Sequence, residues 1–159
     1  MRKIALHIAS DADLPILATL RWRLKADDDA PPQGEDFALF ADAFIRAESM
    51  ARSRGDIVHW IADVDGAPVA AMSLVVVRKV TAPGGAERRW GYLTNCYVAA
   101  EHRNVGVGSR MLEAIQSWAN NEAFEFIIVW PSDCAFPFYE RNGFRCPDDV
   151  LVWTPPSGD

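Results

Sequence analysis

The chain has 159 residues, 50% of them hydrophobic, and a formal net charge of −6 at pH 7. This length and composition indicate a single globular domain with a sizeable core, and they exclude a disordered chain. The negative charge, with no basic block, argues against a nucleic-acid partner, and no apolar run approaches the ~20 residues that a membrane span needs.

Cysteine usage and the first residues bear on the compartment. Cys96, Cys134 and Cys146 are too far apart to form a CxxC pair, which argues against a disulfide framework and a zinc site. We therefore expect reduced thiols, no metal ion and a cytoplasmic location. Met1 to His7 contains no long apolar segment, so we expect no signal peptide.

The first third of the chain predicts a short strand and two helices. Residues 2–8 alternate weakly, as a strand would. Ser10 to Asp13 form an N-cap cluster, after which leucines repeat at helical spacing. This helix is expected to end in an acidic, proline-closed loop at residues 25–32. A second amphipathic helix follows and ends before Gly55.

The middle of the chain predicts strands. Residues 57–64 and 67–80 are apolar, β-branched runs joined by Asp65-Gly66, which is a strong hairpin signal. Residues 90–98 predict the next strand. An amphipathic helix begins near Val107 and ends at Asn120-Asn121.

The last third predicts two more strands around a short helix. Phe126 to Trp130 is a continuous apolar run, typical of a central strand that is covered on both faces. A short helix is expected around 134–141 and a final strand near 149–153. The predicted order is β-α-α-β-β-β-α-β-α-β, which indicates one α/β (or α+β) domain.

The segment Glu101 to Ile115 carries the clearest functional signal. Arg103, Gly106 and Gly108 directly precede a helix, and glycines at that place are typical of an anion site at the helix N-terminus. A Walker A loop is excluded because no lysine follows Gly108. A dinucleotide fingerprint would need a third glycine where Met111 stands.

A pyrophosphate cradle formed by backbone N–H groups is the third possibility. Missing Cβ atoms at Gly106 and Gly108 would allow close approach, and the helix dipole would favour the negative charge. The alternative is that the two glycines only shape a turn into a packed helix.

Two motifs resemble those of the GNAT superfamily of acyl-CoA-dependent N-acyltransferases. Arg103-x-x-Gly106-x-Gly108 resembles its [Gln/Arg]-x-x-Gly-x-[Gly/Ala] pattern. The second block resembles the Asn-x-x-Ala-x-x-x-Tyr-Glu-x-x-Gly-Phe segment, with Ser132 where asparagine is commoner; it reads Ser132-x-x-Ala135-x-x-x-Tyr139-Glu-Arg-Asn-Gly143-Phe144. Both motifs occur in the family's order and spacing over roughly residues 90–145.

The resemblance implies a fold and a co-substrate. We expect a GNAT-like central mixed, mostly antiparallel, twisted sheet with splayed central strands and helices on both faces. Acetyl-CoA would lie between the strands at about 90–98 and 125–130. The acceptor-side helices would occupy about residues 11–54 and the acetyl-CoA-binding core about residues 90–145.

The resemblance also implies site residues. Tyr139 stands at the family position that protonates the leaving thiolate; ordinary core packing is the alternative. Main-chain groups of Cys96, Tyr97 and Val98 would face the pantetheine arm, with an oxyanion donor near Tyr97 or Val98. The remaining cofactor contacts are expected at Arg103, Asn104, Val105, Gly106, Val107, Gly108, Ser109 and Ser132.

The general base is open. Residues 90–98 contain Asn95 but no Asp or Glu, although some members of the family carry an acid there. Asp133 and His59 are candidates, Glu101 is expected to face solvent, and a water relay with main-chain partners is an equal alternative.

The acceptor side is predicted from the N-terminal helices. Asp27, Asp28 and Asp29 would attract a cationic amine, unless they form a solvated cap and turn. Asn95 and Trp22 are further acceptor candidates. Trp60, Trp90 and Trp130 are also candidates for an apolar wall, with core packing the alternative for at least three of the four tryptophans.

The expected function is transfer of an acetyl group from acetyl-CoA to a primary amine of a small molecule or peptide, with a possible homodimer as the assembly. A non-catalytic acyl-CoA sensor is the alternative, since the strand acid is missing. A protein–protein module with a vestigial cleft is a third.

Overall fold

The computed structural model describes residues 3–28 and 36–155. Four helices and five strands form in the order β1-α1-α2-β2-β3-β4-α3-β5-α4. The strands are β1 Ile4–Ile8, β2 Ile57–Val64, β3 Ala67–Arg78, β4 Arg89–Val98 and β5 Ile127–Val129. The helices are α1 Leu14–Asp28, α2 Phe37–Ser53, α3 Val107–Asn121 and α4 Phe136–Arg141.

The strands form one mixed sheet in the order β1-β2-β3-β4-β5. The first four strands are antiparallel neighbours, whereas β5 runs parallel to β4. The Asp65-Gly66 turn joins β2 to β3 with both residues at positive φ, as a two-residue hairpin requires. The predicted mixed, mostly antiparallel sheet is therefore confirmed.

Helices cover both faces of the sheet. His59 contacts Glu48 of α2, whereas its neighbour Trp60 packs edge-on against Trp118 of α3 with ring centroids 5.3 Å apart. Because successive side chains of a strand point to opposite faces, α2 and α3 lie on opposite sides. The core is one contiguous cluster of buried side chains from α1, the strands and α3.

Helix α1 is longer than the sequence predicts. Ser10 caps the 3₁₀ turn Asp11–Asp13 that leads into α1, with its backbone N–H and hydroxyl both donating to the Asp13 carboxylate. The helix continues through residues 25–28, which we had assigned to the acidic loop. Asp27 therefore belongs to the last helical turn, because packing of α1 on α2 and the sheet outweighs the weak helix propensity of aspartate. The Asp28 side chain and Asp29 lie outside the described residues.

The prediction of a covered central strand at 126–130 is wrong. β5 is an edge strand of three residues, and the flanking Trp130 is 60% exposed. The predicted final strand near 149–153 does not form either, and residues 145–155 contain no helix or strand. Ile127 and Val129 of this apolar run pack against the core, while β5 pairs with β4 alone among the described strands. None of the helices in the described ranges is long and apolar enough to cross a membrane.

Gly91 makes the close contact between β3 and β4 possible. A Cβ at this position would lie 2.7 Å from Cδ1 of Leu74, whose side chain is completely buried. We therefore expect Gly91→Ala to lower the free energy of unfolding by ~1–3 kcal/mol, as overpacking of a core does. Chemical denaturation of the purified variant measures this change.

Leu74→Ala supplies the control. It removes the atoms that the new methyl group would meet, so adding Gly91→Ala to it is expected to cost less than about 0.5 kcal/mol. An equal cost in both backgrounds would show that the glycine is required for another reason.

Candidate active site

The sheet opens between β4 and β5. Their pairing runs from Gly91 opposite Ile127 to Leu93 opposite Val129 and then stops, while β4 continues to Val98. At the same point β4 contains a bulge, because Asn95 and Cys96 together lie opposite the single residue Met72 of β3. Asn95 has φ +53°, a left-handed conformation that asparagine tolerates better than most residues. The predicted splay of these strands is therefore present.

The bulge leaves a backbone donor in the opening. The Ala99 N–H donates to the Val69 carbonyl of β3 at 2.9 Å. Since backbone groups of successive strand residues point to opposite edges, the Val98 N–H points away from β3, where β5 has already ended. Between the two predicted positions for an oxyanion donor, this geometry favours Val98 over Tyr97. The Tyr97 side chain is buried in the core, and that burial, with Asp27 nearby, raises its pKa.

The predicted anion loop ends at the N-terminus of α3. Gly106 has φ +89° and is the N-cap, and Asn104 also has positive φ. A Cβ at Gly106 would meet no atom of the described chain within 4 Å, so the space in front of the helix is open. The first-turn N–H groups of Val107, Gly108 and Ser109 have no acceptor within the helix. Asn104, Val105 and Ser109 are exposed around them.

The two glycines of the loop have different roles. A Cβ at Gly108 would lie 3.0 Å from Cζ of Phe138 and 3.8 Å from Cγ2 of Val98. Gly108 thus lets α3 pack closely against α4 and the end of β4, and its role in admitting a ligand stays a prediction. Val107 points into the core. The same contacts place the α3 N-terminus, the end of β4 and α4 around one opening.

Arg103 lies at the edge of this opening. Its Nε donates to the Val98 carbonyl at 2.9 Å, and an Nη donates to Asp27 at 3.1 Å. Asp27 of the predicted acceptor side is therefore paired with the predicted pyrophosphate residue. Glu101 lies on the exposed 3₁₀ turn that precedes Arg103.

Tyr139 is held by the second motif. Gly143 takes a left-handed φ of +87° that ends α4, and the Phe144 N–H then donates to the Tyr139 carbonyl at 3.1 Å. The Tyr139 ring lies edge-on to Phe138 and Phe144, with centroids 5.1 and 5.5 Å away. Burial, together with the adjacent Cys96, raises the pKa of the Tyr139 hydroxyl well above its usual value. The phenol is therefore neutral and able to donate a proton.

Cys96 faces Tyr139 from the bulge. Burial raises the pKa of the Cys96 thiol to about 11, and the neighbouring Tyr139 hydroxyl offsets part of that rise. The thiol also donates to the Thr94 carbonyl at 3.6 Å. Cys96 is consequently a protonated thiol at neutral pH and not a thiolate nucleophile.

The other predicted residues are spread around the opening. Ser132 and the base candidate Asp133 are exposed in the turn between β5 and α4. Trp22 packs against Phe37 and Phe40 between the N-terminal helices. The remaining tryptophans make ring contacts with neighbours: Trp60 with Trp118, Trp90 with Phe126 and Trp130 with Tyr92.

Behind the bulge, five polar side chains form a buried chain of hydrogen bonds, and the sequence analysis identified only two of them. The five are Glu48, His59, Ser73, Asn95 and Arg21. Asn95 and His59 were singled out from the sequence, whereas Glu48, Ser73 and Arg21 were not. The available signal was a polar residue within an apolar stretch of each of two strands, His59 in β2 and Ser73 in β3. Within the described ranges, no group of His, Cys, Asp or Glu side chains is arranged to hold a metal ion.

Solved structures share this architecture. A predicted acetyltransferase from Clostridium acetobutylicum, determined with acetyl-CoA, superposes with a TM-score of 0.76 at 21% identity, covering 96% of both chains. Glucosamine-6-phosphate N-acetyltransferase from Arabidopsis thaliana gives 0.71 at 17% identity, covering 96% of this chain and 98% of that one. An aminoglycoside N-acetyltransferase in complex with CoA gives 0.72 at 16% identity, covering 99% of this chain and 97% of that one.

At these identities the structures establish the fold, and the sequence itself establishes the family. The model of the acetyltransferase (GNAT) family matches residues 17–144, which is most of the chain and includes both motifs. The chain belongs to the GNAT family of acetyltransferases.

Proposed function

We propose that this chain is an N-acetyltransferase that moves the acetyl group of acetyl-CoA to a primary amine of a small molecule or peptide by direct attack. The observation that carries the proposal is the convergence on one opening of an anion-binding helix terminus, a free backbone donor at Val98 and the neutral phenol of Tyr139. Acetyl-CoA is the co-substrate and supplies the acetyl thioester.

The opening suits a CoA thioester at both ends. At one end, the exposed first turn of α3 and the open space at Gly106 suit a pyrophosphate, because several N–H groups and the helix dipole act together. Arg103 adds positive charge there if its guanidinium exchanges Asp27 for the phosphates. At the other end, the main chain at Cys96 to Val98 borders the place where β4 and β5 part.

Val98 and Tyr139 take separate roles in the reaction. The Val98 N–H donates a hydrogen bond to the carbonyl oxygen as negative charge develops on it. When the C–N bond forms and the C–S bond breaks, Tyr139 gives its hydroxyl proton to the departing sulfur. The amine nitrogen releases one proton to water, and water returns a proton to the Tyr139 phenolate, which restores the hydroxyl. Burial raises the pKa of this phenol, so it stays protonated until the thiolate forms beside it.

Relatives of the same fold support an amine as the acceptor. The names of several of these structures state an acceptor, which is glucosamine 6-phosphate in one case and an aminoglycoside in others. An assay of thiol release from acetyl-CoA with spermidine, kanamycin, glucosamine 6-phosphate and a lysine peptide tests the proposal. CoA binding without turnover on any amine would favour the acyl-CoA sensor, and no CoA binding would contradict both the acetyltransferase and the sensor.

The cytoplasmic location and the homodimer stay predictions.

The proposed anion site is tested by placing the same substitution at two glycines, Gly106 at the site and Gly66 away from it. Gly106 and Gly66 have nearly the same φ, +89° and +85°, and a Cβ at either meets no described atom within 4 Å. A tryptophan therefore strains the backbone equally at both places, but only at Gly106 does it cover the α3 N-terminus. Gly106→Trp is expected to raise the Kd of CoA at least tenfold, about 1.4 kcal/mol, by calorimetry.

Gly66→Trp is the control and should leave the Kd within about twofold of the native value. If both variants bound CoA with equal affinity, the pyrophosphate would not be bound at the α3 N-terminus.

Tyr139 is tested by removing its hydroxyl alone. Tyr139→Phe keeps the ring packing against Phe138 and Phe144, so we expect unchanged CoA affinity with kcat lower by about 10²-fold, a usual loss for a general acid. Tyr92→Phe, at a half-buried tyrosine of β4 that packs on Trp130, is the control and should retain kcat.

The pH profile gives a second measurement. Because its pKa is raised, Tyr139 stays protonated as the pH rises through the usual phenol value of ~10. The native kcat should therefore show no fall from loss of this proton between about pH 8 and 10. Full activity of Tyr139→Phe would leave Tyr139 with a packing role only.

A further inference from the structure

A chain of polar side chains crosses the buried sheet behind the bulge. Glu48 of α2 lies 3.0 Å from Nε2 of His59 on β2, and Nδ1 of His59 lies 2.7 Å from the Ser73 hydroxyl on β3. Nδ2 of Asn95 on β4 donates to the same hydroxyl at 3.1 Å. An Nη of Arg21 on α1 donates to the Asn95 Oδ1 at 3.4 Å.

The donors and acceptors that these groups offer set the directions of the hydrogen bonds. The Glu48 carboxylate only accepts, so Nε2 of His59 donates to it; in the tautomer with its single ring proton on Nε2, Nδ1 accepts. Nδ1 therefore accepts from the Ser73 hydroxyl, whose oxygen is left to accept from Nδ2 of Asn95. Because the amide nitrogen is committed to Ser73, the amide oxygen of Asn95 must be the end that faces away.

Burial makes this arrangement significant. His59 and Ser73 are each 1% exposed and lie among buried apolar residues of their strands. Polar groups in such a place contribute little to net stability compared with apolar side chains, but when fully paired they specify one geometry. The end of the chain at Asn95 is half-buried and lies at the bulge itself.

The side chains of Asn95 and Cys96, the two residues of the bulge, thus point to opposite sides of the opening. The Cys96 thiol faces Tyr139 on α4, whereas the Asn95 amide faces α1. The hydrogen bond from Arg21 is long, and a carbonyl oxygen has a second lone pair, so Oδ1 remains able to accept another donor. An attacking amine carries N–H groups that need such an acceptor, and β4 offers no carboxylate.

We propose that Asn95 accepts a hydrogen bond from the attacking amine through Oδ1, and that Glu48, His59 and Ser73 are positioning residues that hold this oxygen outward. The inference rests on the proposed acetyltransferase function. The amine N–H donates to Oδ1 as its lone pair forms the C–N bond, and the Asn95 amide itself takes up no proton. Arg21, on the same oxygen, disfavours binding of the acceptor as an ammonium ion.

The kinetic test is a double-mutant cycle between Ser73 and Asn95. Ser73→Ala frees Nδ2, so the amide can turn its NH₂ group outward, and kcat should fall by about tenfold with the Kd of CoA unchanged. Asn95→Asp presents an acceptor oxygen in either orientation, and aspartate also tolerates positive φ. In the Asn95→Asp background, Ser73→Ala should therefore change kcat by less than about twofold.

Two further variants separate positioning from general support of the fold. Ser73→Thr keeps the hydroxyl and should restore most of the activity that Ser73→Ala loses. Met72→Leu changes a buried residue directly opposite the bulge, adjacent to Ser73 but on the α3 face, and should leave kcat unchanged. Equal losses in Ser73→Ala and Met72→Leu, or the same loss in both Asn95 backgrounds, would overturn the proposal.

An NMR measurement decides the question without turnover. The Asn95 side-chain NH₂ signals, assigned by their absence in Asn95→Asp, should exchange slowly with solvent in the native chain and at least about tenfold faster in Ser73→Ala. Fast exchange in the native chain would overturn the proposed orientation even if the amines named above are acetylated. Slow exchange with no acetylation of any of those amines would instead contradict the proposed function and leave the orientation standing.

Discussion

The β-bulge at Asn95 and Cys96 is the constraint on which the rest of this site depends. One extra residue in β4 breaks the regular alternation of the strand and bends it away from β5, whose pairing ends at Leu93 and Val129. The left-handed backbone of Asn95 costs of order 1 kcal/mol and persists because the surrounding hydrogen bonds hold it. The bulge lies where the sheet opens, with the Asn95 side chain toward Arg21 of α1 and the Cys96 side chain toward Tyr139 of α4.

Close packing of three elements then brings the functional groups to that opening. The absence of a side chain at Gly108 allows Phe138 of α4 to approach the first turn of α3 and the end of β4. Gln116 of α3 reinforces this contact by donating to the Asn142 carbonyl at 2.8 Å. Tyr139, next to Phe138, is thereby fixed beside Cys96, and the N-terminus of α3 lies at the same opening. In the described structure, the second motif ends α4 at Gly143 and holds the Tyr139 ring in place by packing.

Much of this architecture could be predicted from local patterns. The Asp65-Gly66 hairpin and the amphipathic helices α2 and α3 each have a cause within a few residues of sequence, and these predictions are confirmed. The errors at β5 and at the end of the chain have another origin. An apolar run indicates burial without showing whether a neighbouring strand provides it, so Phe126 to Trp130 did not reveal that β5 lies at an edge.

The sequence by itself determined the family, through two spaced motifs, and the local elements, through capping residues, turns and periodicity. The tertiary structure alone decided which polar side chains meet. If the residue pairs of β2 and β3 continued from the Asp65-Gly66 turn without a bulge, His59 would lie opposite Met72. A bulge after Pro68, which cannot donate to a sheet, inserts Val69 and moves Ser73 into that position. Because a shift of one residue reverses the face of every side chain, this single insertion puts Ser73 beside His59 and links α2 to the bulge of β4.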